Sequence, residues 1–204
     1  MITTKNINSF VWLTGILWIV FLFVAGIKVP DKFLQPVSLI IGFWTIFLGA
    51  YEKWIWRWDC IGLLFEPQPD LNGTWQGRLI SSFVDPQTKQ RVPEIEVYFS
   101  VTQTYSTINY KMFTKDMASE LISGRLIKDE NGQFSIYGIY RSIPNILLRE
   151  KSPIHFGAVN FAYSQNKIEG SYWTDRDTKG TITFSKKINS IIFDFENAKN
   201  AFPE

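Results

Sequence analysis

The stretch Pro93–Thr104, PEIEVYFSVTQT, decides how most of this 204-residue chain folds. Within it, the apolar residues Ile95, Val97, Phe99 and Val101 alternate with more polar ones. Successive side chains of a β-strand point to opposite faces of the sheet, so this period of two predicts a strand with one buried face.

Seven further runs share this alternation or a composition rich in β-branched and aromatic residues. They are Gly73–Ser82, Ser106–Phe113, Glu120–Lys128, Gln133–Ser142, Ile154–Ser164, Lys167–Thr174 and Gly180–Lys187. Turn residues separate them, for example at Asp129–Gly132 and Ser164–Asn166. Eight short strands without helices between them predict an all-β domain, an eight-stranded up-and-down antiparallel (lipocalin-like) β-barrel, because closure removes unpaired edges. A β-sandwich is the alternative.

The composition of the barrel region limits what it can bind. We expect a soluble ligand-binding domain over residues 66–204, entered through the proline-rich linker Glu66–Asp70 and ending in a short helix from about Asp194. Five of the 21 basic and three of the 19 acidic residues precede Glu66, which leaves 16 of each sign in this region. A general nucleic-acid binder would be basic, so any bound nucleotide should be small and held in a specific pocket.

Two long apolar segments precede the barrel region. Asn6–Ile27 has 22 residues without a charge, Phe33–Tyr51 has 19, and only Lys28–Lys32 separates them. At about 1.5 Å per helical residue, each segment matches the hydrocarbon core of a bilayer. We therefore predict a transmembrane helical hairpin over residues 1–65, with spans at about 7–27 and 33–51 and a tryptophan-rich interfacial collar at Trp54–Trp58. A signal peptide followed by a single anchor is the alternative.

The hairpin has a predicted orientation and a predicted contact face. Positive residues slightly favour placing both termini and the barrel in the cytoplasm, and a single cysteine, Cys60, fits a reducing compartment. A face of small residues at helical spacing runs along the second span: Ser38, Gly42, Thr45 and Gly49. Small residues let helices approach closely in lipid, so this membrane oligomerisation face could pack against the first span, another chain, or both.

The open end of the predicted barrel is the expected ligand site. In a meander, alternate connections share one end, and here the long connections fall together. Aromatic rings at that mouth could stack on planar groups, and cations could hold phosphate. The candidate ligand-binding residues are Lys111, Tyr140, Arg141, Tyr172, Trp173 and Thr181.

The chain has few of the residue patterns that catalysis requires. His155 and Cys60 are its only histidine and cysteine, which argues against a metal site or a Cys-His pair. Neither a phosphate-binding glycine loop nor a nucleophile elbow occurs. We therefore predict a binding protein without catalytic residues, metal or cofactor, rather than an enzyme.

Two short motifs and the overall arrangement carry a family resemblance. Leu71–Trp75, LNGTW, resembles the G-x-W start of lipocalin-like barrels, and Gly170–Trp173, GSYW, lies late in the chain. With two N-terminal spans, a tryptophan collar and eight strands, the chain resembles the two-transmembrane, β-strand-rich effectors of bacterial CBASS anti-phage systems.

The resemblance implies a mechanism. A partner nucleotidyltransferase (CD-NTase) senses phage and makes a cyclic dinucleotide, which the barrel binds as its activating ligand. The chains then oligomerise, and their hairpins disrupt the bacterial inner membrane and kill the infected cell. A membrane-tethered carrier or sensor of a small hydrophobic ligand is the alternative, and a membrane-anchored enzyme ranks third.

Overall fold

The computed structural model describes residues 4–24, 37–85, 88–150 and 152–202. The chain divides into two compact units. The first comprises the described residues up to Asp70 together with Thr104–Ser106, and the second comprises the rest.

The second unit is a closed barrel of eight antiparallel strands that pair in sequence order, with β1 also paired to β8. The strands are β1 Gly73–Ser81, β2 Ile95–Gln103, β3 Ile108–Phe113, β4 Met117–Lys128, β5 Phe134–Pro144, β6 His155–Ser164, β7 Lys167–Thr174 and β8 Lys179–Ile188. The predicted barrel is confirmed and the sandwich is wrong. β4 begins three residues earlier than predicted, because Ala118 and Met117 extend its pairing with β5 beyond Glu120.

Register shifts interrupt the regular alternation at two places in the wall. One lies between Gln76 and Gly77, where β1 pairs with β8, and the other between Leu121 and Ser123, where β4 pairs with β5. A bulge of this kind bends a strand and changes which residues face inward beyond it. Counting alternate residues along β1 or β4 alone therefore assigns the inner face wrongly.

A C-terminal segment covers the outside of the wall at β2 and β3. The helix α3, Phe195–Ala201, begins after Asp194, whose carboxylate accepts a hydrogen bond from the Asn197 amide at 2.8 Å. Ala198 and Phe202 pack with the outward-facing Tyr98 and Phe113 in a second apolar cluster. The predicted short helix near Asp194 is thus confirmed.

The first unit contains the helices α1, Thr4–Val24, and α2, Val37–Lys53, followed by two short 3₁₀ turns. Among the residues that the structure describes, Ile7–Val24 is the one helical stretch long and apolar enough to cross a membrane, and none of it is buried. α2 has only 17 residues and is not membrane-like by that measure. The predicted break Lys28–Lys32 and the first residues of the second span lie outside the described residues.

α1 and α2 touch along one side of α2. The rings of Phe10 and Trp44 lie 4.2 Å apart between centroids, and Ile40 and Trp44 are buried. The predicted small-residue face lies elsewhere on the helix, because Gly42, Thr45 and Gly49 are exposed. The contact with α1 is therefore made by large residues.

Candidate ligand site

The two ends of the barrel differ in their connections. One end carries the tight turns, including the one at Gln165 and Asn166, whose φ angles are 48° and 59°. The opposite end carries the longest connections, which follow β1 and β5. We call these the closed end and the open end. Trp75, which is 1% exposed, lies toward the closed end, where its Nε1 donates to the Leu71 carbonyl oxygen at 2.9 Å.

Aromatic rings fill the closed half of the interior. Phe99 and Phe184 stack with centroids 4.9 Å apart, and Phe161 meets both rings edge-on at 5.9 and 6.0 Å. All three side chains are fully buried. These contacts leave the closed half with a packed core of the kind that stabilises a fold.

The open half carries polar side chains at inward-facing positions. Inward positions alternate along each strand, and toward the open end they are occupied by Ser81, Ser119, Tyr140, Ser142, His155 and Tyr172, all of them buried. Tyr110 is also buried and inward-facing, but it starts nearer the closed end, as the third residue of β3 and the partner of Val101. The hydroxyls of Ser119 and Ser142 are 2.6 Å apart, and His155 Nδ1 lies 3.0 Å from the Pro153 carbonyl oxygen. Because burial of hydroxyls is unfavourable unless they are paired, such a layer points to recognition of a polar ligand.

All three buried tyrosines lie over glycines on neighbouring parts of the wall. A Cβ atom added at Gly180 would lie 2.7 Å from Cε1 of Tyr172, its cross-strand neighbour. A Cβ atom added at Gly157 would lie 2.4 Å from Cζ and Oη of Tyr140, its cross-strand neighbour. A Cβ at Gly138 would lie 2.6 Å from Oη of Tyr110, which reaches there from β3. Glycine at these positions therefore makes the room that the tyrosines occupy.

The environment keeps these tyrosines protonated. Burial raises the pKa of Tyr110, with a further contribution from Tyr140. Burial likewise raises the pKa of Tyr140, next to Tyr172 and Asp175, and the pKa of Tyr172, which a hydrogen bond with Ser81 partly offsets. All three hydroxyls thus remain neutral groups that can donate a hydrogen bond.

Tyr110 differs from the other tyrosines in its hydrogen bonding. Its side chain is only 3% exposed, and its hydroxyl has no hydrogen-bond partner among the described residues. Tyr98, by contrast, donates to Glu96 Oε1 at 2.7 Å on the outer side of the wall. Leaving a buried hydroxyl without a hydrogen bond lowers the stability of the fold by about 1–3 kcal/mol. The Tyr110 hydroxyl is therefore available to form a hydrogen bond with a ligand.

The structure separates the six predicted ligand-binding residues. Tyr140 and Tyr172 face the interior, whereas the other four face outward: Lys111, Arg141, Trp173 and Thr181. All six lie in strands toward the open end, but alternation turns Arg141 and Trp173 outward, since each directly follows an inward-facing tyrosine. Their individual roles in binding stay predictions.

The outward-facing cations are engaged on the outer wall. Lys111 Nζ lies 3.7 Å from Glu120 Oε1, and an Arg141 guanidinium nitrogen lies 3.5 Å from Glu120 Oε2. Both pairs are largely exposed, so each contributes little to stability. Trp173 is 51% exposed on the same side of the wall.

Sequence reasoning missed Tyr110 and the paired serines Ser119 and Ser142. A signal for Tyr110 was present, because it has the same parity along β3 as the buried Ile108 and Met112. Glycines inside strands, such as Gly138, also mark places where a side chain approaches the backbone closely. The serines carried no such signal, since their pairing depends on the register between β4 and β5.

Fold and site together define a small-ligand-binding β-barrel with one packed and one polar half. Residues 66–186 match the family described as Cap15, cyclic dinucleotide receptor domain, and the chain belongs to that family. It is also 24% identical over 175 residues to CD-NTase-associated protein 15 of Staphylococcus schleiferi, covering 86% of this chain and 92% of that protein.

Proposed function

We propose that this protein is a membrane-embedded effector of CBASS antiviral defence. The observation that carries the proposal is the joining, in one chain, of a cyclic dinucleotide receptor domain and the unburied apolar helix Ile7–Val24. A CD-NTase supplies the cyclic dinucleotide, and no direct contact with that enzyme is required. Ligand binding in the barrel drives oligomerisation, and the assembled helices disrupt the bacterial inner membrane.

A two-span hairpin completes the membrane part of the proposal. By sequence, Phe33–Tyr51 contains 19 residues without a charge, a length that can cross a bilayer. Ile41 and Ile46 of α2 are exposed, as residues that face lipid would be. Two spans would put both termini and the barrel on the same side of the membrane, and the positive residues Lys5, Lys53 and Arg57 favour the cytoplasmic side, where a nucleotide messenger is made.

The small-residue face of α2 supports contact between chains. A Cβ atom added at Gly42 or Gly49 would meet no atom of the described residues within 4 Å, and Thr45 Oγ1 donates to the Ile41 carbonyl oxygen of its own helix at 2.9 Å. Since α1 contacts the side of α2 that carries Trp44, this face is left for a second copy.

Membrane leakage tests the proposal. The full chain reconstituted in vesicles loaded with a fluorescent dye should release the dye only when a cyclic dinucleotide that it binds is added. Replacing Gly42 and Gly49 by leucine should abolish release and assembly while leaving the binding affinity unchanged. Release without ligand, or full release by the double variant, would contradict the assembly mechanism.

The carrier alternative receives less support. A carrier of a hydrophobic ligand needs an apolar cavity, whereas Phe99, Phe161 and Phe184 fill the apolar half of this barrel. It also predicts binding of lipid or fatty acid in competition with cyclic dinucleotides, which the same vesicle preparation can measure.

A further inference from the structure

We infer that a nucleobase of the ligand, and not its phosphates, enters the barrel through its open half and reaches the Tyr110 hydroxyl, which hydrogen-bonds to the edge of the base. The inference rests on the proposed function and adds which part of the ligand the interior recognises. It assigns to Tyr110 the role of selecting among bases.

The charge of the interior supports insertion of a neutral group. The inward-facing positions of the open half, as far as the structure describes them, are occupied by serine, tyrosine, histidine and small or apolar residues. None of these described positions is a lysine or arginine. An anionic phosphate moved into such an interior would lose its water without gaining a cation, which is strongly unfavourable. A base is uncharged and planar, and it offers donors and acceptors along its edge.

The row of tyrosines supplies partners of the right kind. Tyr110 lies deepest, with its ring 4.8 Å from that of Phe99 at the boundary of the packed half. Tyr140 and Tyr172 continue the row toward Ser81, which ends β1 at the open end. Aromatic rings stack on bases of any identity, whereas a hydroxyl distinguishes one base edge from another.

The unpaired hydroxyl of Tyr110 is the observation that singles out this residue. The group is buried and reaches Gly138 of β5, two strands away along the wall, and it has no partner among the described residues. A ligand atom that pairs with it would convert an unfavourable burial into a hydrogen bond. A site built to pair a particular polar group rejects analogues that lack it, which is how specificity for a base would arise.

A cation at the rim can take the phosphates that stay outside. Arg176 is the second residue after β7, at the open end, and its guanidinium donates to Ser152 Oγ at 2.7 Å. Its backbone amide also bonds to Thr174 Oγ1, at 3.2 Å. The arginine is thus held beside the mouth, where it would attract any cyclic dinucleotide irrespective of its bases.

Calorimetric titration of the full chain in detergent with cyclic di-GMP, cyclic di-AMP and cyclic di-UMP tests the inference. Tyr110→Phe should weaken binding of the preferred ligand about tenfold and reduce the preference among the three ligands. Arg176→Gln should weaken all three by the same factor. The matched control Tyr98→Phe removes a hydroxyl on the outer side of the wall and should change neither affinity nor preference.

The outcomes separate this inference from the proposed function. If the wild-type chain binds a cyclic dinucleotide and Tyr110→Phe binds it equally well with the same preference, base insertion at Tyr110 is overturned while the proposed function stands. If the wild-type chain binds none of the three, the proposed function fails and this inference with it. Tyr110→Phe should melt no lower than wild type, which excludes misfolding as the cause of weak binding.

Discussion

The two halves of the barrel interior are built from the same eight strands yet contain opposite chemistry. The closed half holds Phe99, Phe161 and Phe184 in mutual ring contact, whereas the open half holds buried hydroxyls and glycines. The difference shows that the two ends of one barrel can have different roles. Packing in the closed half stabilises the wall, and the open half is then free to carry polar groups that stability alone would not favour.

The largest effect on stability is expected when an aromatic ring is removed from the closed half. Phe161→Ala should lower the free energy of unfolding by about 3–5 kcal/mol, because it leaves a cavity among rings that cannot close around it. Chemical denaturation of the purified chain, followed by circular dichroism of the strands, measures the loss. A change below about 1 kcal/mol would show that the closed half is not the stabilising half.

A smaller effect is expected where the open half depends on a glycine. Gly157→Ala should lower the free energy of unfolding by about 1–3 kcal/mol, because the added Cβ displaces the Tyr140 ring. Gly157→Ala should also weaken ligand binding. Phe161→Ala should leave ligand binding unchanged when binding is measured at a temperature at which that variant is still folded. Gly62→Ala is the matched control, since its Cβ would lie 3.6 Å from Pro67, an ordinary contact. Equal behaviour of the two alanine variants would refute the close packing of Tyr140.

The smallest effect should come from the paired serines of the open half. Ser142→Ala should cost about 1 kcal/mol, because it leaves the buried Ser119 hydroxyl without its partner at 2.6 Å. The double variant, with alanine at both positions, should recover most of that loss. Thermal unfolding of the three variants measures the coupling, and additive losses would mean that the two hydroxyls do not depend on each other.

Much of the fold could be predicted from local pattern. Alternation at Ile95–Val101 and turn residues such as Asp129–Gly132 are local properties, and they were sufficient to predict the strands and the closed barrel. The start of β4 at Met117 could not be predicted, because its pairing with Pro144 depends on the loop between β5 and β6. Residues 33–36 of the predicted second span lie outside the described residues, and α2 covers the remainder from Val37.

The site was predicted only in part because the inner face depends on parity and bulges. Tyr140 and Tyr172 were selected for lying near the ends of strands, and they do face the interior. Arg141 and Trp173 met the same criterion, yet alternation turns them outward. Nearness to the mouth is a property of chain order, whereas facing the barrel interior is a property of the pleat, and the two do not select the same residues.

Closure of the wall by β1 and β8 limits where a second chain could add a strand to this protein. Every strand has a neighbour on each side, but β3 and β4 pair only over Lys111–Phe113 and Ala118–Glu120, which leaves residues 121–128 of β4 without a partner on that side among the described strands. Backbone pairing with another chain would therefore be directed to this one stretch of the wall. Contacts elsewhere on the barrel would join intact surfaces through side chains and exchange no part of the fold.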